Sequence, residues 1–139
     1  ITHPQVIDIE PTIGNKLKLE HIYFQQSTAN ILRSSYPTID QLGIYLLKHP
    51  NLHILIAGHT DNQGEASILK KLSLDRAAAL KTYLINNKNI NADRLKIIGY
   101  GAEQSINDNS SDRLRKKNRR VEIQIIGLDA QPSSLTKSK

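Results

Sequence analysis

The 139 residues fit one compact domain, and the absence of Cys excludes disulfides and thiolate metal sites. With 38% apolar residues, five Tyr, one Phe and no Trp, the core has to be aliphatic, built from Ile, Leu and Ala. The net charge of +6 is uneven: from Ser110 onward eight Lys or Arg (Arg113, Arg115, Lys116, Lys117, Arg119, Arg120, Lys137, Lys139) stand against three acids (Asp112, Glu122, Asp129). A basic cluster of this kind meets nucleic acid, anionic lipid or an acidic polymer, or is a solvated loop. Single-strand nucleic-acid binding also needs aromatics on a charged face, which this composition lacks. No apolar run reaches the length of a membrane span and nothing resembles a signal peptide. The abrupt start at Ile1-Thr2-His3-Pro4 reads as a segment of a longer protein.

In chain order, residues 1–15 read as a linker or peripheral segment, with Pro4 and Pro11. Lys16 to Phe24 has a strand pattern: Leu17 and Leu19 alternate with polar residues, and Ile22 to Phe24 extend the run. Pro37, after Ser34 and Ser35, suits a helix start. Ile39, Leu42, Tyr45 and Leu46 recur at helical spacing, and Pro50 ends that helix near Lys48. Leu52 to Ala57 is short and almost wholly apolar, the pattern of a central strand covered on both faces. Gly58 to Gly64 form a loop.

A second helix is predicted over about Ser67 to Asn86, with Leu72, Arg76, Ala79, Leu80, Tyr83 and Leu84 along one side. Arg94 to Tyr100 reads as a strand, Gln104 to Lys117 as a polar loop or short helix, and Val121 to Ile126 as a strand. In that last strand Val121, Ile123 and Ile125 point inward. Residues 128–139 read as a polar, disordered tail. The order β-α-β-α-β-β over residues 16–127 predicts an α/β (α+β) two-layer sandwich. Its mixed sheet has about four strands, with helices on one face. The last two strands are candidates for antiparallel pairing.

Open α/β sheets place ligands at the carboxyl ends of strands. Here that place holds His59, Thr60 and Asp61, with Arg76 further along the following helix. A carboxylate and a guanidinium beside one loop suit a zwitterion: Asp61 takes an ammonium, and Arg76 clamps a carboxylate through two donors. The same residues also fit a loop cap at Asp61 and an ion pair of Arg76 with Asp61 or Asp75. His59 and His53 read as hydrogen-bonded core residues, and Tyr100 as packing at a strand end. No phosphate loop, dinucleotide fingerprint, nucleophile elbow or metal-ligand spacing is present, so no enzyme, metal or cofactor is expected.

Three segments together resemble one family. Gly58-His59-Thr60-Asp61, Leu72-Ser73-Leu74-Asp75-Arg76-Ala77 and Asn118-Arg119-Arg120-Val121-Glu122 resemble the motifs of the OmpA C-terminal-like domain, in order and at matching spacing. The likeness runs from about His21 to Ile126. It implies non-covalent binding of peptidoglycan through the diaminopimelate of the stem peptide. Asp61 then holds the ammonium and Arg76 the carboxylate, Thr60 orients the loop, and Arg119 is a donor in the pocket wall. Asn109 matches a family Asn, while Asn118 and Arg120 look structural. It also implies a periplasmic setting within an outer-membrane or envelope protein, with envelope proteins as further partners.

The chain departs from the pattern at Leu69 and Ser27, where the family carries pocket Asn residues. A charged ligand group facing Leu69 loses a partner, at a cost of ~1–3 kcal/mol. The alternative reading is a structural or protein-interaction domain whose pocket has degraded.

Overall fold

A computed structural model describes residues 5–129 of the protein. The strands are β1 (Lys16–Lys18), β2 (Leu52–His59), β3 (Leu95–Gly101) and β4 (Arg120–Leu128), and the helices are α1 (Tyr36–Lys48), α2 (Ala66–Lys88) and α3 (Asp112–Asn118). They build one four-stranded sheet in the order β1-β4-β2-β3. β2 and β3 run parallel, joined through α2, while β4 lies antiparallel between β1 and β2.

The two-layer α/β arrangement is as expected, and the pairing of the last two strands is not. β4 does not border β3; it inserts in the middle of the sheet beside β2. Its alternation makes this possible. Val121, Ile123 and Ile125 are 2% exposed or less and oppose Gly58, Ile56 and Ile54 across the β2 ladder. An apolar strand gains more in the centre of a sheet than on its rim.

One sheet face packs on α1 and α2. Ile39, Leu42 and Leu46 of α1 join Leu52, Ile54 and Ile56 of β2 and Ala77, Leu80 and Leu84 of α2 in one aliphatic core. On the other face Leu55 is only half-buried while Ala57 and His59 are buried, so the expected cover on both sides holds only toward the carboxyl end of β2. The first strand is also shorter than its pattern. His21 takes a positive φ of 62°, which breaks the extended run, and Phe24 makes only an isolated bridge to Ile31. Residues 5–15 pack alongside: Ile7 is buried in the core, and the Tyr45 hydroxyl donates to the Ile9 carbonyl at 2.8 Å.

Pro37 lies in the first turn of α1 as its fixed φ favours. Ser35 does not cap that helix. Its hydroxyl, fully buried, binds both the Tyr23 N–H and the Tyr23 carbonyl, pinning the 21–31 segment to the helix start. Arg94 closes the far end of α1. Its guanidinium donates to the carbonyls of Leu46, His49 and Leu52, groups that a helix end and turn leave open.

The buried stripe of α2 is Leu69, Ser73, Ala77, Leu80 and Leu84. It is rotated from the predicted side, so Leu72, Arg76, Ala79 and Tyr83 flank it half-buried. The cause is backbone contact. A Cβ on Gly58 would lie 2.2 Å from the Ser73 carbonyl oxygen, and one on Gly99 would lie 2.4 Å from the Leu74 nitrogen. Glycine at both positions lets the first half of α2 settle onto β2 and β3. Ser73 completes the seam: its hydroxyl accepts from the Gly101 N–H and donates to the Lys70 carbonyl, both at 2.9 Å. The predicted tail lies outside the described residues from residue 130 on.

Candidate functional site

The tight α2 seam brings the end of β2 against the first half of α2. The loop after β2 starts with Thr60, 3% exposed, whose N–H donates to Gly101 and whose hydroxyl donates to the Asp61 carbonyl. These bonds fix the backbone from which the Asp61 side chain projects. Asp61 is 6% exposed; its Oδ1 accepts from the Gln63 N–H at 2.9 Å and its Oδ2 from Arg119 Nη1 at 2.5 Å.

Arg76 comes from α2. Its Nε donates to the Thr28 carbonyl at 2.7 Å, and its guanidinium lies over the Phe24 ring, 4.8 Å from the centroid. Burial first, then the neighbouring Arg119 guanidinium, push Arg76 below the usual arginine range, and Asp61 opposes them. Asp61, Arg76 and Arg119 thus stand within electrostatic reach of one another. The 21–31 segment, held by Ser35, is what positions Arg76 from outside.

Of the other predicted residues, Ser27 is exposed on that same segment with a positive φ of 62°, next to Thr28. The Asn109 carboxamide oxygen is occupied by Asn118 Nδ2 at 3.0 Å. No hydrogen bond among the described residues joins Ser27 or Asn109 to the Asp61 cluster. Asn118 is fully buried; its oxygen accepts from the N–H groups of Ile106 and Asn107, and its Nδ2 also donates to the Asn107 carbonyl. Arg120 holds Glu122 and the carbonyls of Asn118 and Gln104. Both therefore shape the 104–109 loop and the start of β4. Leu69 is buried and packs beside Gly64, lining a cleft with Asn62, Tyr100 and Glu103.

The resemblance assigned no role to Ser73, Gly58 and Gly99, on which the geometry depends. For Gly58 and Ser73 the signal was small residue size at the motif positions themselves, while Gly99 stands inside the strand predicted over Arg94 to Tyr100. His53 does bond, to the Asp129 carboxylate at 2.6 Å.

His59 departs from expectation. It is buried against Tyr100, ring centroids 5.1 Å apart, but neither ring nitrogen has a hydrogen-bond partner among the described residues, and Glu122 stays 3.8 Å away. Burial pulls the His59 pKa down to about 4, Arg120 and Lys16 add to this, and Glu122 opposes it. The ring is neutral at pH 7. A folded pKa below the unfolded value near 6.5 means that the unfolded chain takes up the proton first. The stability contributed is complete above pH 6.5 and falls as pH drops toward 4, by up to ~1.4 kcal/mol per unit. Urea unfolding at pH 7 and pH 5 should show this loss, and His59→Gln should remove most of it. A slope unchanged by the substitution would place the effect elsewhere.

A family model described as the OmpA family matches residues 23–119. Outer membrane protein Omp38 of Acinetobacter baumannii is 34% identical over 132 residues, which cover 88% of this chain and 37% of that protein. The peptidoglycan-associated lipoprotein of Rhizobium meliloti is 31% identical over 87 residues, 63% of this chain and 49% of that protein. The crystal structure of the periplasmic domain of Helicobacter pylori MotB superimposes with a TM-score of 0.71 at 27% identity, covering 91% of this chain and 81% of that one. The chain spans well under half the length of Omp38. On the family match and these likenesses, the chain belongs to the OmpA family.

Proposed function

We propose that this domain binds peptidoglycan without catalysis, through the diaminopimelate of an uncrosslinked stem peptide. In this reading it works in the periplasm and anchors an outer-membrane or envelope protein to the cell wall. The observation that carries the reading is the convergence of Asp61, Arg76 and Arg119 in one site of an OmpA-family chain. Asp61 takes the ammonium of the ligand, and Arg76 takes its carboxylate. Arg119 forms the adjoining wall, Thr60 orients the loop, and Ser27 and Asn109 are assigned to the rim. The role needs no metal or cofactor. The name of the Rhizobium meliloti relative, a peptidoglycan-associated lipoprotein, supports the choice of polymer.

Arg113, Lys116 and Lys117 are exposed on α3, close in sequence to Arg119. They add long-range attraction to a carboxylate-rich polymer, which salt screens. The test is co-sedimentation with purified sacculi. The domain is expected to sediment and to be released by free diaminopimelate. A domain that stays in the supernatant at low salt contradicts the reading.

One observation favours the rival reading, a protein-interaction domain with a degraded pocket. Leu69 supplies an apolar side chain beside the loop where the family pattern has a polar one. That reading expects no competition by diaminopimelate.

A further inference from the structure

Both oxygens of the Asp61 carboxylate are in use, one by the Gln63 N–H and one by Arg119. Each oxygen keeps a second lone pair, but at 6% exposure Asp61 offers little open surface to an incoming cation. An ammonium pairing with Oδ2 competes with the Arg119 guanidinium for it. We propose that Arg119 is a specificity-determining latch, which admits a ligand carrying both an ammonium and a carboxylate and rejects one carrying the ammonium alone. The inference rests on the assignment of Asp61 and Arg76 to the ligand site.

The two arginines are held differently. Arg76 is fixed by the Thr28 carbonyl and the Phe24 ring. Arg119 follows directly after α3, its side chain is 37% exposed, and its other terminal nitrogen lies 3.8 Å from Asp112. Asp112, with a side chain 78% exposed, is a second carboxylate onto which Arg119 can swing.

Charge then selects the ligand. The site holds one carboxylate against two guanidiniums that already disfavour each other. An amine alone adds a third cation and leaves the displaced Arg119 only the exposed, weakly held Asp112 carboxylate to pair with. A zwitterion brings its own carboxylate, which accepts from Arg76 and from the displaced Arg119. Selectivity therefore comes from the Asp61–Arg119 pair that must be broken as well as from the new bonds to the ligand.

The experiment is calorimetric titration of the wild type, Arg119→Gln and Arg119→Lys with two soluble stem peptides. One peptide carries diaminopimelate; in the other Lys replaces it, which keeps the ammonium and lacks the carboxylate. Arg119→Gln is expected to raise affinity for the Lys peptide about tenfold and to lower that for the diaminopimelate peptide, which loses its bond to Arg119, so that the preference between the two collapses. Arg119→Lys keeps a cation at the latch and keeps the wild-type preference. If Arg119→Gln weakens both peptides equally, or leaves the preference unchanged, the latch is refuted while the site assignment stands. If neither peptide binds any of the three proteins, the site assignment falls and the latch with it.

Discussion

Asp61→Ala and Arg76→Ala are each expected to abolish co-sedimentation with sacculi while leaving the domain folded. Removing one partner of a desolvated, hydrogen-bonded charge pair costs ~2–5 kcal/mol in binding, because the other charge stays unpaired. That is a loss of about thirtyfold or more. The cost to the fold is smaller. Asp61→Ala releases Arg119, whose side chain is 37% exposed and which water can solvate. Arg76→Ala removes one hydrogen bond to Thr28 and a cation–π contact with Phe24, worth ~1–2 kcal/mol together. Arg76→Lys should also bind poorly, since an ammonium cannot present two parallel donors to a carboxylate. Circular dichroism of each variant separates loss of binding from loss of fold. Wild-type sedimentation of both alanine variants would show that the wall is not held through this pair.

Gly58→Ala should be the most damaging of the small substitutions. The added Cβ would meet three backbone atoms of Ser73, the nearest at 2.2 Å. Backbone in the middle of a packed helix cannot step aside as a flexible side chain can. α2 has to lift from β2, which breaks the Ser73–Gly101 bond and loosens Ala77 and Leu80. Overpacking and lost contacts together cost ~3–5 kcal/mol, a large part of the roughly 5–15 kcal/mol that stabilises a typical domain. The melting temperature is expected to fall by roughly 10–20 °C. Ligand affinity should fall as well, since the same seam sets the distance from the Asp61 loop to Arg76. Gly127→Ala is the control: its nearest neighbour would be a His53 side-chain atom at 3.5 Å, ordinary contact. A Gly58→Ala melting temperature matching that of Gly127→Ala would refute the seam.

The pattern of the sequence carried the layers of the fold but not the order of its strands. Val121, Ile123 and Ile125 read correctly as an inward row, yet alternation says nothing about which strand lies alongside. Adjacency in the chain favoured β3 as the neighbour of β4, and burial of an apolar row chose β2. The run from Ile22 to Phe24 looked like strand because its residues are apolar. The positive φ at His21 turns it into a bracket that holds Arg76 through Thr28.

At the site, charge type alone nominated Asp61 and Arg76, since a carboxylate and a guanidinium near one loop are visible in the sequence. The Arg119–Asp61 contact spans 58 residues and depends on β4 lying beside β2, so no local pattern announces it. His59 was legible as buried but not as lacking a partner. Its environment is assembled from Tyr100, Arg120 and Glu122 on two other strands.

Recognition of a zwitterionic centre is decided by titrating the wild-type domain with the diaminopimelate stem peptide beside its Lys counterpart. Saturable binding of the first is expected, at least about tenfold tighter than of the second. Equal affinity for the two, or no binding of the diaminopimelate peptide, would contradict a wall anchor of this kind and turn attention to a protein partner.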